Sequence, residues 1–310
     1  MESILLHLLF LLLAIVFLWK GADWTVEKAS ILAIRVNVSQ VTIGVTIIAL
    51  GTSLPEFAAT LTSALKQHGD LALANVVGSN IFNLGIILGL AAIATPLAVR
   101  RESLHRDGFL LLGISLFLLV WAGDGYLGRL AGMLLLLLLL VYIILLLRRY
   151  GKQRHIPRQV PKGKFTAGDG GKLLLGLTLV VCGGYLLIRG ALGVGQALQL
   201  PEWPLGLTVT ALGTSLPEIV ISVASILKKK QDILFGNLLG SDIFNFAGVL
   251  GLACLSSPIR ITGDALLGLG MLTAFYVLLL LFMRSDWRVT RPEGAILLVV
   301  GASRVIYFLL

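Results

Sequence analysis

The chain has 310 residues, 57% of them hydrophobic and only 13% charged, with a formal net charge of +9, whereas an average soluble domain carries about 25% charged residues. A mean hydropathy of +0.95 leaves too little polar surface for a water-soluble catalytic or nucleic-acid-binding domain. Nucleic acid is therefore not an expected partner, and the basic excess reads as a membrane-topology signal. Cys182 and Cys254 lie in apolar stretches without CxxC spacing, so neither a disulfide framework nor a zinc or redox cofactor is expected.

In chain order, apolar stretches fall near 4–20, 40–65, 71–97, 108–122, 127–147, 172–193, 204–227, 232–256, 264–283 and 293–310. Because about 20 apolar residues cross a bilayer, these predict an all-α polytopic membrane protein with ten transmembrane helices. The first run, Ile4–Leu18, follows an acidic Glu2 and has no small-residue cleavage site before Lys20, so it reads as a retained helix rather than a signal peptide. The second, third, seventh and eighth stretches are broken up by Gly, Ser, Thr, Asn and Pro, unlike the plain leucine run Leu134–Leu140. The four histidines, His7, His68, His105 and His155, read as solvated or packed.

If the N-terminus lies outside, the loops on the inner side collect 19 of the 25 basic residues, among them Lys28, Arg100, Lys228 and Arg288. The positive-inside rule then gives an N-out/C-out arrangement. The basic linker 149–171 is cytoplasmic on this reading, between one five-helix half at 1–148 and another at 172–310. Its charges read as a solvated topology signal.

Gly51–Leu90 aligns without gaps onto Gly213–Leu252 at an offset of 162, with 19 of 40 positions identical. Shared apolar bias does not account for the matched polar pairs, which include Thr52 with Thr214, Glu56 with Glu218, Asn75 with Asn237, Ser79 with Ser241 and Asn83 with Asn245. The halves are a duplication. Five crossings separate each feature from its copy, so the repeats are predicted to be inverted, the pattern of alternating-access transporters with a midplane site.

Each copy contains GTSLPE. Proline has no N–H and displaces the carbonyl four residues earlier, so Pro55 is expected to free the carbonyl of Gly51 and Pro217 that of Gly213. Such carbonyls persist at membrane depth only inside protein or along a wet cavity. Helical spacing puts Thr52, Ser53 and Glu56 on one face, as it does Thr214, Ser215 and Glu218. Ser79 and Asn83, and their copies Ser241 and Asn245, are likewise four residues apart. This inventory of hard oxygens suits Ca²⁺ or Na⁺, and the imidazoles and thiolates of softer metal sites are missing. Two carboxylates at the bilayer centre are costly unless a cation offsets them, and neither motif carries a Lys or Arg that does so.

Structural readings compete at several positions. Ser53 and Glu56 also fit a capping box. Ser79, Asn83 and their copies fit interhelical packing bonds, and Gly85 and Gly89 fit close helix contact. Asp70 and Asp232 read as helix starts. Asp242 replaces Asn80 within the second shared segment, GSNIFN against GSDIFN; about 100° round the helix from Ser241, it is left out of the residues expected to touch the ion.

The doubled GTSLPE, followed by GSNIFN and then GSDIFN, resembles the cation/Ca²⁺ exchanger superfamily, specifically the compact prokaryotic Na⁺/Ca²⁺ exchanger relatives, over essentially the whole chain. The resemblance implies a secondary antiporter in a prokaryotic cell (inner) membrane, working as a monomer in the bilayer, with Ca²⁺ and Na⁺ as substrates and no enzyme activity. Glu56 and Glu218 would be the shared Ca²⁺ carboxylates, and Thr52 and Thr214 would supply oxygens. Ser53, Ser215, Ser79 and Ser241 would line peripheral Na⁺ sites, and Asn83 and Asn245 would complete the centre. Relatives commonly carry an acidic residue at one of the last two positions; with Asn at both, the site is expected to hold a formal charge of −2. Proton-coupled relatives typically show a GNxxE-type motif instead of GTSLPE, which makes a H⁺/Ca²⁺ antiporter the alternative. A passive channel lacks a pore-loop repeat, and an intramembrane protease lacks a base beside Ser53 or Ser215.

Overall fold

The computed structural model describes residues 2–36, 38–150, 166–198 and 213–309. The helices are α1 (Glu2–Arg35), α2 (Gln40–Thr52), α3 (Leu54–Leu65), α4 (Gly69–Ala94), α5 (Arg101–Asp124) and α6 (Arg129–Tyr150), followed by α7 (Ala167–Ala197), α8 (Leu216–Leu227), α9 (Gln231–Ser256), α10 (Gly263–Ser285) and α11 (Arg291–Leu309). Among the described residues seven of these, α1, α4, α5, α6, α7, α9 and α10, are long and apolar enough to cross a membrane, and α2 with α3, bent by 50°, brings the number to eight where the pair counts as one span. Most of the basic linker and the first part of the predicted 204–227 stretch lie outside the described residues.

The first helix runs to Arg35, well past the expected end near residue 20. Hydropathy marks only the lipid-facing length; the polar continuation stays helical where its charges find partners, Lys28 with Asp169 at 3.1 Å and Asp23 with Lys228 at 2.6 Å. α7 likewise begins before the expected residue 172, started by Thr166, whose hydroxyl accepts from the Asp169 N–H while the Asp169 carboxylate returns the bond to the Thr166 N–H. This is a complete capping box.

The bend between α2 and α3 follows from chemistry. Ser53 (φ −79°, ψ 7°) leaves the helix, and Pro55 falls in the first turn of α3, where its missing N–H costs nothing. The second copy repeats this with Ser215 (φ −88°, ψ 4°) and Pro217 at the start of α8. The 162-residue offset persists further along the backbone. α3 and α8 each have 12 residues, and each is followed by a left-handed residue, Gln67 (φ 64°) or Lys229 (φ 56°). α4 and α9 each switch to π-helical turns, over Phe82–Leu88 and Phe244–Leu250, before finishing as α-helix.

Short strands tie the halves crosswise. β1 (Leu97–Ala98) pairs antiparallel with β4 (Arg288–Val289), and β2 (Tyr126–Leu127) with β3 (Ile259–Arg260). The Arg100–Asp232 ion pair lies beside the first ladder. Asp70 and Asp232 sit in the first turns of α4 and α9, as expected of helix starts. At the centre is α9, whose residues from Ile233 to Gly251 are all buried. The two cysteines are free.

Candidate functional site

The two proline turns bring the motif side chains of both halves together. Thr52, Ser53 and Glu56 are buried, as are Ser215 and Glu218, while Thr214 is half-buried. Each carboxylate takes hydrogen bonds from the opposite turn: Ser53 Oγ donates to Glu218 Oε1 at 3.4 Å and Ser215 Oγ donates to Glu56 Oε1 at 3.3 Å. The Thr52 and Thr214 hydroxyls also reach Glu218 and Glu56 respectively. Ser53 therefore spends its hydroxyl on a partner 165 residues away and makes no capping bond to its own helix. The local capping-box reading is wrong at this position because the tertiary acceptor is an anion, which makes the stronger bond.

α4 and α9 supply the remaining groups. Ser241 Oγ donates to Glu218 Oε1 at 3.2 Å and lies 3.4 Å from Thr52 Oγ1. Ser79 is buried on α4, but among the described residues it makes no matching bond to Glu56. Asn83 and Asn245 stand in the π-helical turns and are buried. Such turns recur at functional sites because the widened ring re-aims side chains. Glu56 Oε2, Glu218 Oε2, Asn83 Oδ1 and Asn245 Oδ1 are all buried and accept no hydrogen bond. Four unpaired oxygens, two carrying formal charge, would be a severe cost in a sealed protein interior; cation coordination removes it.

Among the described residues no three His, Cys, Asp or Glu side chains converge as a metal cluster, so the oxygens are carboxylates supplemented by amides and hydroxyls. No Lys or Arg among the described residues pairs with Glu56 or Glu218. A cleft of about 230 Å³ between apolar walls that include Phe57 and Phe244 reaches the site at Ser53.

The family profile described as sodium/calcium exchanger protein matches residues 6–148 and again 171–309. The chain belongs to the sodium/calcium exchanger family. It is 30% identical over 338 residues to the sodium/calcium exchanger MaX1 of Methanosarcina acetivorans, covering 96% of each chain. It is also 33% identical over 250 residues to the inner membrane protein YrbG of Escherichia coli, covering 77% of this chain and 76% of that one. The fold superposes on a solved structure of the sodium-calcium exchanger NCX_Mj, soaked with Na⁺ and Sr²⁺, with a TM-score of 0.88, 27% identity and coverage of 98% and 99%.

Behind the amides of this exchanger-family site lies a buried acidic residue that the sequence reading left out of the ion-contacting set. Asp242 is fully buried and accepts from Asn83 Nδ2 at 3.0 Å and from Tyr276 Oη at 3.1 Å. Because α9 is enclosed on every side, a residue 100° round the helix from Ser241 is also interior, and Asp242 meets an amide of the site there. Asp242 is thus a third buried acidic residue near the centre, behind the pair Glu56 and Glu218. The signal available in the sequence was the lone Asn-to-Asp difference between the copies.

Proposed function

We propose that this protein is a secondary antiporter that exchanges Ca²⁺ for Na⁺ by alternating access. The observation that carries the reading is the set of four unpaired buried oxygens, contributed in matched pairs by the two copies of one motif. Ca²⁺ takes 6–8 oxygens, and the neighbouring hydroxyls of Thr52, Thr214, Ser53, Ser215, Ser79 and Ser241 extend the set; the same residues, redistributed, hold Na⁺. Glu56 and Glu218 are the carboxylates shared by the competing ions, and Asn83 and Asn245 supply amide oxygens.

The chain on this reading crosses a prokaryotic cell membrane ten times, as two inverted halves at 1–148 and 172–310 with both termini outside and the basic linker 149–171 in the cytoplasm. Support comes from the twofold family match, the backbone features repeated at a 162-residue offset and the crosswise strand pairing. The single chain carries both halves of the site, so a monomer suffices. Interconversion is a movement of α1 and α7 against the helices that hold the site.

Radioactive Ca²⁺ uptake into Na⁺-loaded proteoliposomes tests the assignment. Glu56→Gln and Glu218→Gln each keep the side-chain shape and remove one charge, and each is expected to abolish uptake. Near-normal uptake by both would dismiss the site.

A further inference from the structure

Behind the two amide ligands runs a single chain of buried hydrogen bonds, and its direction is informative. Asn245 Nδ2 donates to Asn80 Oδ1 at 3.0 Å, Asn80 Nδ2 donates to Tyr276 Oη at 3.3 Å, and Tyr276 donates in turn to Asp242 Oδ2 at 3.1 Å. From the other half, Asn83 Nδ2 donates to Asp242 Oδ1 at 3.0 Å. All five side chains are buried. Donors therefore run inward from both ends and stop at one group, which has to accept twice and donate nothing. An ionised carboxylate does this and an amide cannot, because one of its two positions is an NH₂.

The consequence reaches the cation site. Fixing the NH₂ of Asn83 and of Asn245 into this chain turns each carbonyl oxygen the other way, and those oxygens stand with Glu56 Oε2 and Glu218 Oε2 among the buried atoms with no donor. We infer that Asp242 is a positioning residue for the exchange, the shared acceptor that orients the amides of Asn83 and Asn245 so that both carbonyl oxygens face the transported ion. The inference rests on the exchanger reading above and adds a residue that touches no ion itself.

The repeat provides a stringent test, since positions 80 and 242 are equivalents. Asp242→Asn leaves the network one donor too many: its new NH₂ faces a donor, and either Tyr276 or Asn83 loses its acceptor. The double exchange Asn80→Asp with Asp242→Asn restores the balance with the direction reversed. Asn83 then donates to Asn at 242, which donates to Tyr276, which donates to Asp at 80, where Asn245 also ends.

Na⁺-driven Ca²⁺ uptake in proteoliposomes should show a Ca²⁺ KM raised about 10–100-fold in Asp242→Asn, the usual cost of losing a group that orients a metal ligand, with the maximal rate little changed. The double exchange should return KM to near the parent value. A parental KM in the single variant overturns the inference. So does a double variant that folds, judged by thermal unfolding in detergent, yet keeps the raised KM. Should Asp242→Asn fail to fold, Tyr276→Phe cuts the middle link while keeping the ring, and it should raise KM through the Asn245 arm alone; an unchanged KM there also overturns it. Calorimetric titration of the purified protein with Ca²⁺ separates this inference from the reading beneath it. A parent that binds Ca²⁺ but shows no Na⁺-driven uptake defeats exchange, whereas a Kd that weakens in the single variant and recovers in the double still supports the positioning role.

Discussion

The outer helices α1 and α7 and the central helices α4 and α9 are all apolar, yet they are held by different forces. Only 17% and 28% of the apolar windows of α1 and α7 are buried, against 72% and 83% for α4 and α9. Apart from the Lys28–Asp169 ion pair at one end, α1 and α7 meet through shape. A Cβ added at Gly176, Gly183 or Gly190 of α7 would lie 2.9 Å from Gly21 O, 3.0 Å from Leu18 N and 3.0 Å from His7 O of α1 respectively. A seven-residue glycine spacing keeps one face of α7 against its neighbour and lets backbones touch where lipid gives no hydrophobic drive. α4 and α9 instead join through directed bonds such as Asn83 to Asp242 and Asn245 to Asn80. The difference separates roles: close-packed smooth surfaces suit a pair that moves as one body, and a bonded centre suits a site whose geometry has to persist.

Four substitutions, read by thermal unfolding in detergent, sharpen this contrast. The largest effect is expected in the centre, where Leu238→Ala on α9 removes a buried side chain and should cost about 2–5 kcal/mol. Next comes Gly183→Leu on the outer pair, which drives a side chain into the α1 backbone for about 1–3 kcal/mol. This variant should also lose transport while keeping Ca²⁺ binding; retained transport would argue against the pair as a moving body. Thr166→Ala removes the cap of α7 and should cost about 1 kcal/mol. Leu12→Ala, on the exposed face of α1, should change stability by no more than about 0.5 kcal/mol. A Leu12→Ala effect as large as that of Leu238→Ala would erase the distinction between the two regions.

The sequence carried those features that depend on composition or on the repeat. Apolar length located the helices, and the doubled motif singled out Glu56, Glu218 and their neighbours, which the fold brings together across the halves. What stayed hidden depends on contacts distant in the chain. Nothing in Phe82–Leu88 marks a π-helical turn, because Asn83 and Gly85 are compatible with a kink, a close contact or a plain helix alike and the extra residue per turn is set by packing. Ser53 was read in the site with a local cap as the rival, and its acceptor, Glu218, comes from the other half. Asp242 was left out of the ion-contacting set, and its bonds to Asn83 and Tyr276 were not readable because they join residues 159 and 34 positions apart. The polar ends of α1 escaped hydropathy because Lys28 and Asp23 are stabilised by partners on α7 and beside α8.

The central claim is that one oxygen cage, built from both halves, serves Na⁺ and Ca²⁺ in turn. Its most direct test is Ca²⁺ uptake by proteoliposomes in which the Na⁺ and pH gradients are set independently. Uptake should follow the outward Na⁺ gradient and cease when that gradient is collapsed, whatever the pH difference. Uptake driven by a pH gradient in Na⁺-free medium, or indifferent to both gradients, would contradict it.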